Sequence, residues 1–251
     1  MPTSSSAKTL AIDIGGSGLK AAILGPRGAM LTERVRVKTE YPCTPSALLA
    51  QLVTMIEPLP AADRVAVGFP GVVRHGRVLT APNLSRVAGA GTSVSPVSQV
   101  AWHGFDLARA VTRRFKLPTR VVNDADLQGL SVATGKGVEV VITLGTGFGS
   151  AVLQDGQLGP HLELSHSPFG TGKTYDEQLG DAARKEAGKK QWNRRLRKAI
   201  VNLEVLFNFD HLYIGGGNTE YINFELPPNV SVIDSNAGIL GGIRVWTQHH
   251  V

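Results

Sequence analysis

The chain has 251 residues, 42% of them apolar and 18% charged, which is enough for a real core in one large domain or two small ones. No apolar run reaches the ~18 residues of a membrane span, and residues 1–8 lack the basic and apolar regions of a signal peptide. Cys43, the single cysteine, excludes an intrachain disulfide and a multi-cysteine zinc site, so a cytoplasmic protein with no membrane partner is expected.

The net charge of +6 favours polyanionic partners: nucleic acid, a phosphorylated small molecule or an inorganic phosphate polymer. Aromatic residues make up 6%, low for a protein that stacks single-stranded bases. No zinc-finger spacing or aromatic ribonucleoprotein motif is present.

In chain order, apolar runs at 9–14, 19–24 and 30–37 read as three strands joined by two hairpins. Thr44-Pro45 is an N-cap and first-turn pair that opens a helix to Ile56, stopped by Pro58. A strand at 65–69 and a hairpin at 72–79 follow, then a Gly/Ser/Ala-rich stretch, 88–100, expected as an irregular loop. A helix is predicted over 106–115 and a strand over 119–123, with a helical segment at 125–134. Strands at 138–144 and 150–153 flank a tight turn. Thr174-Tyr175-Asp176-Glu177 has capping-box spacing and should open a helix to Ala187, followed by a longer one at 190–207 with Trp192, Leu196, Ile200, Leu203 and Phe207 on one stripe. Strands at 212–214 and 230–233 and a terminal helix at 237–246 complete the chain. This order fits two α/β halves, 1–122 and 123–236, with the helix at about 237–251 returning to the first. Asn123 and Asp124 then lie at a strand end, where α/β proteins place ligands.

Three glycine turns accompany that strand end. Asp13-Ile14-Gly15-Gly16-Ser17-Gly18 follows a strand; its amides can converge on an anion, Ser17 adds a hydroxyl, Asp13 can hold a metal–water cluster and Lys20 can meet a phosphate. A plain hairpin turn explains the same residues equally well. Gly145-Thr146-Gly147 repeats the design, and Gly215-Gly216-Gly217-Asn218 follows a later strand. Gly170-Thr171-Gly172-Lys173-Thr174 imitates the end of a P-loop, but Ser167 stands where its first glycine belongs. Asn83, Asn123, Glu163, His166 and Glu177 supply polar groups suited to a polyol; for Glu177 capping-box duty suffices, and His166 reads equally as a half-buried histidine. Asp126 is a first-turn helix acid, and the basic face over 185–198 is either a solvated surface or a polyanion track.

Together these motifs resemble the ROK-family sugar kinases of the hexokinase–actin-like superfamily. Asp13–Lys20 is similar to the family's first phosphate motif, Asn123-Asp124 to its catalytic pair, residues 144–149 to its second phosphate motif, and Glu163-Leu164-Ser165-His166 to its sugar motif with Ser165 in place of a glycine. Gly215–Asn218 matches its nucleotide-side turn, while segments around Glu163, Glu177 and Gly215 resemble the polyphosphate glucokinase branch. Many relatives carry a zinc-binding cysteine cluster after the sugar histidine; with Cys43 alone, that zinc is not expected here.

The resemblance implies a two-domain, ribonuclease H-like fold with an interdomain active-site cleft. It also implies transfer of a phosphoryl group from polyphosphate or ATP to the 6-hydroxyl of glucose. Asp124 would be the general base, and Asn83, Asn123, Glu163, His166 and Glu177 the sugar ligands. Asp13, Gly15, Gly16, Ser17, Lys20, Gly145, Thr146, Gly147, Gly215, Gly216, Gly217 and Asn218 would face the donor, with Mg²⁺ held by Asp13 through water. A homodimer without nucleic acid is expected. The rivals are a strictly ATP-dependent kinase of another hexose such as mannose, and a non-catalytic sugar-responsive regulator.

Overall fold

The computed structural model describes residues 6–89, 91–233 and 237–249; residues 1–5 of the polar N-terminal stretch, residue 90 of the expected loop, and residues 234–236 and 250–251 lie outside the described residues. By internal contacts the chain divides into two units, Met1–Ser131 with Gly238–Val251, and Val132–Ala237. That division falls later than the expected boundary before Asn123, because the helix after Asn123 packs on the sheet of the first unit: a side chain at Gly68, in the neighbouring strand at 64–69, would meet Leu127 at 2.7 Å.

In the first unit β1 (Thr9–Ile14) and β2 (Gly18–Leu24) form an antiparallel hairpin of almost wholly buried residues. β3 (Val35–Lys38) is shorter than expected, alternating half-buried and exposed as an edge strand does. Met30 makes only an isolated bridge to Leu24. Thr44 caps α1 (Pro45–Ile56) by accepting from the Ala47 N–H, and Leu48, Leu52 and Met55 bury one face. β4 (Arg64–Phe69) runs parallel to β1, and a small hairpin of β5 (Val73–Arg74) and β6 (Arg77–Val78) follows.

Within the stretch expected as a loop lies α2 (Pro96–Trp102), capped by Ser95. Ser95-Pro96 is the same cap-and-proline pair read correctly at Thr44-Pro45; the surrounding Gly/Ser composition hid it. The fully buried Trp102 anchors this helix, its indole N–H donating to the Cys43 carbonyl at 2.8 Å and its ring lying against Phe69. α3 (Leu107–Phe115), capped by Asp106, leads to β7 (Thr119–Asn123), parallel to β4, and to α4 (Asp124–Val132). The sheet order is β3-β2-β1-β4-β7.

The second unit repeats this plan with β8 (Val138–Leu144), β9 (Phe148–Gln154) and β10 (Gln157–Leu158) as antiparallel neighbours. A 3-10 turn at Leu164–His166 precedes the hairpin of β11 (Pro168–Gly170) and β12 (Lys173–Thr174). The expected helix to Ala187 instead ends early: α5 (Tyr175–Leu179) stops at Gly180, and α6 (Asp181–Phe207) starts anew with a break at Gly188, φ 73°. Its buried stripe, Trp192, Leu196, Ile200 and Leu203, packs with Val140, Ile142 and Leu212. β13 (His211–Gly215) and β14 (Val230–Val232) run parallel to β8, giving the order β10-β9-β8-β13-β14.

The terminal segment returns to the first unit as one turn, α7 (Ala237–Leu240), and a 3-10 helix, Gly241–Thr247, instead of the expected single α-helix. The Trp246 ring is flanked by the Arg64 and Arg120 guanidiniums at 5.0 and 5.1 Å. Arg120 also donates to the Val245 and Gln248 carbonyls. No helix among the described residues is long and apolar enough to cross a membrane.

Candidate active site

The first glycine turn joins β1 to β2 and closes on itself, the Gly15 N–H donating to the Gly18 carbonyl at 3.0 Å. Two hydroxyls hold its outer carbonyls: Thr39 donates to Gly15 O at 2.7 Å and Tyr41 to Gly16 O at 2.7 Å. Tyr41 also donates to the Asn83 carbonyl at 3.2 Å, and the Gly16 backbone approaches Asn83 so closely that a side chain there would touch its Cβ. Burial above all pushes the Tyr41 phenol up to about 12, so it stays a donor. The N–H groups of Gly16 and Ser17 are then without an acceptor among the described residues. Asp13 and Lys20 are register partners, and their side chains pair at 3.0 Å. Lys20, expected to meet a phosphate, and Asp13, expected to hold Mg²⁺ through water, are thus side by side and both partly exposed.

At the end of β7 the buried Asn123 commits its whole amide to the backbone. Nδ2 donates to the Gly71 carbonyl at 3.0 Å and to Phe69 O at 3.4 Å, while Oδ1 accepts from the N–H groups of Ala125 at 2.7 Å and Asp126 at 3.4 Å. This caps α4 and ties it to the loop after β4. Asp124 is the first residue of that helix, half-buried, with Oδ1 accepting from the Ala125 N–H at 2.9 Å. Asp126 is buried one turn inward.

In the second unit the turn at Gly145–Gly147 closes in the same way, Gly145 N–H to Gly147 O at 3.0 Å. Its supports are different. The Asp176 carboxylate accepts from the Phe148 N–H at 2.8 Å, and the Asp181 N–H at the start of α6 donates to Gly145 O at 3.0 Å. Asn218 of the third glycine turn donates to the same carbonyl at 3.1 Å, and its Oδ1 receives Arg184 Nε at 3.2 Å. Gly216, at φ +91°, lets this turn lie on β8: a side chain there would sit 2.3 Å from the Leu144 carbonyl. The second and third turns thus form one cluster, with exposed Thr146 and Gly217 on it. Asp176, Asp181 and Arg184, which sequence reasoning left out, hold it together. Only the periodic acid–base spacing at the head of α6 could have pointed to the last two.

Glu163 stands before the 3-10 turn Leu164–His166. Ser165 donates to its Oε1 at 2.5 Å, and His161 Nε2 lies 3.7 Å from Oε2. Burial alone would raise the carboxyl, but the hydrogen bonds from His161 and Ser165 and the fields of His161 and His166 outweigh it and hold Glu163 below the ordinary glutamate range. His166 is exposed. Glu177 completes a capping box with Thr174, its Oε2 accepting the Thr174 N–H at 2.9 Å. Among the described residues, each unit therefore carries its own set: Asp13, the first glycine turn, Asn83, Asn123 and Asp124 in one, and the other two turns, Glu163, His166 and Glu177 in the other.

The chain and its fold are similar to those of known sugar kinases. The chain is 29% identical to a polyphosphate glucokinase of Mycobacterium tuberculosis, over 92% of this chain and 88% of that protein. Its structure superposes on an inorganic polyphosphate/ATP-glucomannokinase of an Arthrobacter strain with a TM-score of 0.81 and 31% identity, covering 97% of this chain and 100% of that one. A ROK-family glucokinase of Streptomyces griseus shares the fold at a TM-score of 0.73 and 19% identity, over 95% of this chain and 98% of its own. The fold is the actin-like hexokinase fold of these sugar kinases. The ROK family model matches residues 9–169, and the chain belongs to the ROK family.

Proposed function

We propose that this protein is a polyphosphate- and ATP-dependent glucokinase, moving a terminal phosphoryl group to the 6-hydroxyl of glucose to give glucose 6-phosphate. The observation that carries the reading is the Asp124 carboxylate at the first turn of α4, its helix clamped by Asn123, in a chain resembling polyphosphate-using sugar kinases over nearly its whole length.

Asp124 accepts the proton of the attacking hydroxyl as the new oxygen–phosphorus bond forms and the bond to ADP or to the shortened chain breaks. A sugar hydroxyl is a weak acid, so the base contributes most when proton and phosphoryl transfer are concerted. The transition state is loose and its charge lies on the phosphoryl oxygens, so placement and electrostatics dominate. The N–H groups of Gly16, Ser17, Thr146 and Gly147 are the natural donors to that charge. Glu163, kept ionised, accepts from sugar hydroxyls with Asn83 and His166. Asn123 acts by positioning, since its amide is fully engaged.

Asp13 presents a half-buried hard carboxylate with one oxygen on Lys20, which leaves the other for Mg²⁺; that ion keeps most of its water and needs only one or two carboxylates beside substrate phosphates. When bound there it would neutralise charge on the donor. A cytoplasmic homodimer is the further expectation, read out by sedimentation equilibrium. Mannose is a second acceptor, favoured by the name glucomannokinase of the Arthrobacter relative. The test incubates the protein with Mg²⁺, glucose or mannose, and either ATP or long-chain polyphosphate. The proposal expects glucose 6-phosphate from both donors; none from either would overturn it.

A further inference from the structure

The cations of α6 are unequally partnered. Asp181 takes both Arg184 and Lys185 at 2.7 Å, Arg184 also lies on the Tyr221 ring, and Arg197 lies over Phe224. Arg194, Arg195 and Lys198 have no carboxylate partner among the described residues. Together with Gln191 they recur at helical spacing beside the buried Trp192–Leu196 stripe, so one face of α6 gathers them. They line an open groove of about 390 Å³ whose other wall is Gln178 and the Gly170-Thr171 turn, and no acidic residue lines it.

Three neighbouring cations without a counter-charge repel one another, and an anion in the groove offsets that repulsion. Guanidinium forks, an ammonium and two amides are all donors suited to phosphoryl oxygens. Its one aromatic, Phe169, is buried against Tyr175, so the groove has no platform for stacking bases. Gln178 also ties the groove to the donor-side turns, because Asp176 on the same short helix holds the Phe148 N–H.

We propose that this groove holds a stretch of an inorganic polyphosphate chain behind the phosphoryl group being transferred. The inference rests on the phosphotransferase reading above and names the donor class that its second unit is built to grip.

The test is the double variant Arg194→Gln/Lys198→Gln; Arg195 is left intact because it donates to the Gln178 carbonyl. Steady-state rates are measured with long-chain polyphosphate and with ATP, and polyphosphate binding is measured directly across a salt series. The KM for polyphosphate should rise about tenfold with kcat unchanged, ATP parameters should hold, and the salt slope of binding should fall by about two. The charge-conserving pair Arg194→Lys/Lys198→Arg should restore the KM. An unchanged KM for polyphosphate, or equal effects on both donors, overturns the groove. So does single-stranded RNA competing as well as polyphosphate, which would assign it to nucleic acid. A wild-type protein that binds polyphosphate but makes no glucose 6-phosphate from it, with binding lost in the double variant, would refute the donor reading and uphold the groove.

Discussion

Both units build the same sheet, an antiparallel hairpin whose first strand continues into two parallel strands, and both place a glycine turn between the first two strands. Each turn closes with one internal hydrogen bond, from Gly15 or Gly145. They differ in what holds them from outside. Hydroxyls of Thr39 and Tyr41, on the segment that follows the third strand, tether the first. The second rests on carboxylate, amide and backbone groups from α5, the head of α6 and the third glycine turn. Topology thus fixes where each glycine turn lies; under the proposed function, the tethers distinguish a turn beside the catalytic strand end from one on the donor side.

That contrast can be broken one tether at a time. Replacing Gly216 by Val drives a side chain into the Leu144 carbonyl at a positive φ, and should cost about 4 kcal/mol or more of the second unit's stability, read by thermal unfolding. Asn218→Ala leaves the Gly145 carbonyl with one donor fewer and takes one acceptor from Arg184, which keeps Asp181 and the Tyr221 ring, for a loss of about 2 kcal/mol; it should raise the KM for ATP and leave glucose binding unchanged. Tyr41→Phe removes one hydroxyl from two carbonyls and should cost about 1 kcal/mol, with any kinetic effect appearing for both donors alike. Equal kinetic signatures from Asn218→Ala and Tyr41→Phe would erase the distinction between the tethers.

The smallest effect concerns pH. Glu139 is buried at the start of β8; burial pushes its carboxyl up, but donors from Thr134, Gly135 and Tyr213 outweigh that and hold it below the ordinary glutamate range. Its contribution is therefore fully present above the ordinary glutamate pKa and is lost as pH falls through the lowered value. Glu139→Gln should flatten the acid limb of the Tm–pH curve; a limb as steep as wild type would show that other groups carry it.

The two-unit α/β plan and all three glycine turns were legible in the sequence, because glycine runs between β-branched runs report turns directly. The strand-to-helix junction at Asn123-Asp124 was legible because a strand run stops abruptly in Asn-Asp. What composition concealed was α2, whose Ser95-Pro96 start sits in a Gly/Ser-rich stretch, and the restart of the helix at Asp181, since the capping box at Thr174 marks a start and does not report the early stop at Gly180. The engagement of Asn123 with Phe69 and Gly71 was beyond reach, because it depends on β4 and β7 being parallel neighbours. For the same reason the Asp13–Lys20 pair, set by hairpin register, could not be read from the sequence.

Under the proposed function, Asp124 acts on the proton and not on sugar affinity. This is tested most directly by measuring glucose binding and turnover together in Asp124→Ala. Turnover should fall by about a thousandfold or more, with the glucose Kd within about a kcal/mol of wild type. Near-normal turnover, or a loss of glucose binding large enough to explain the lost rate, would contradict it.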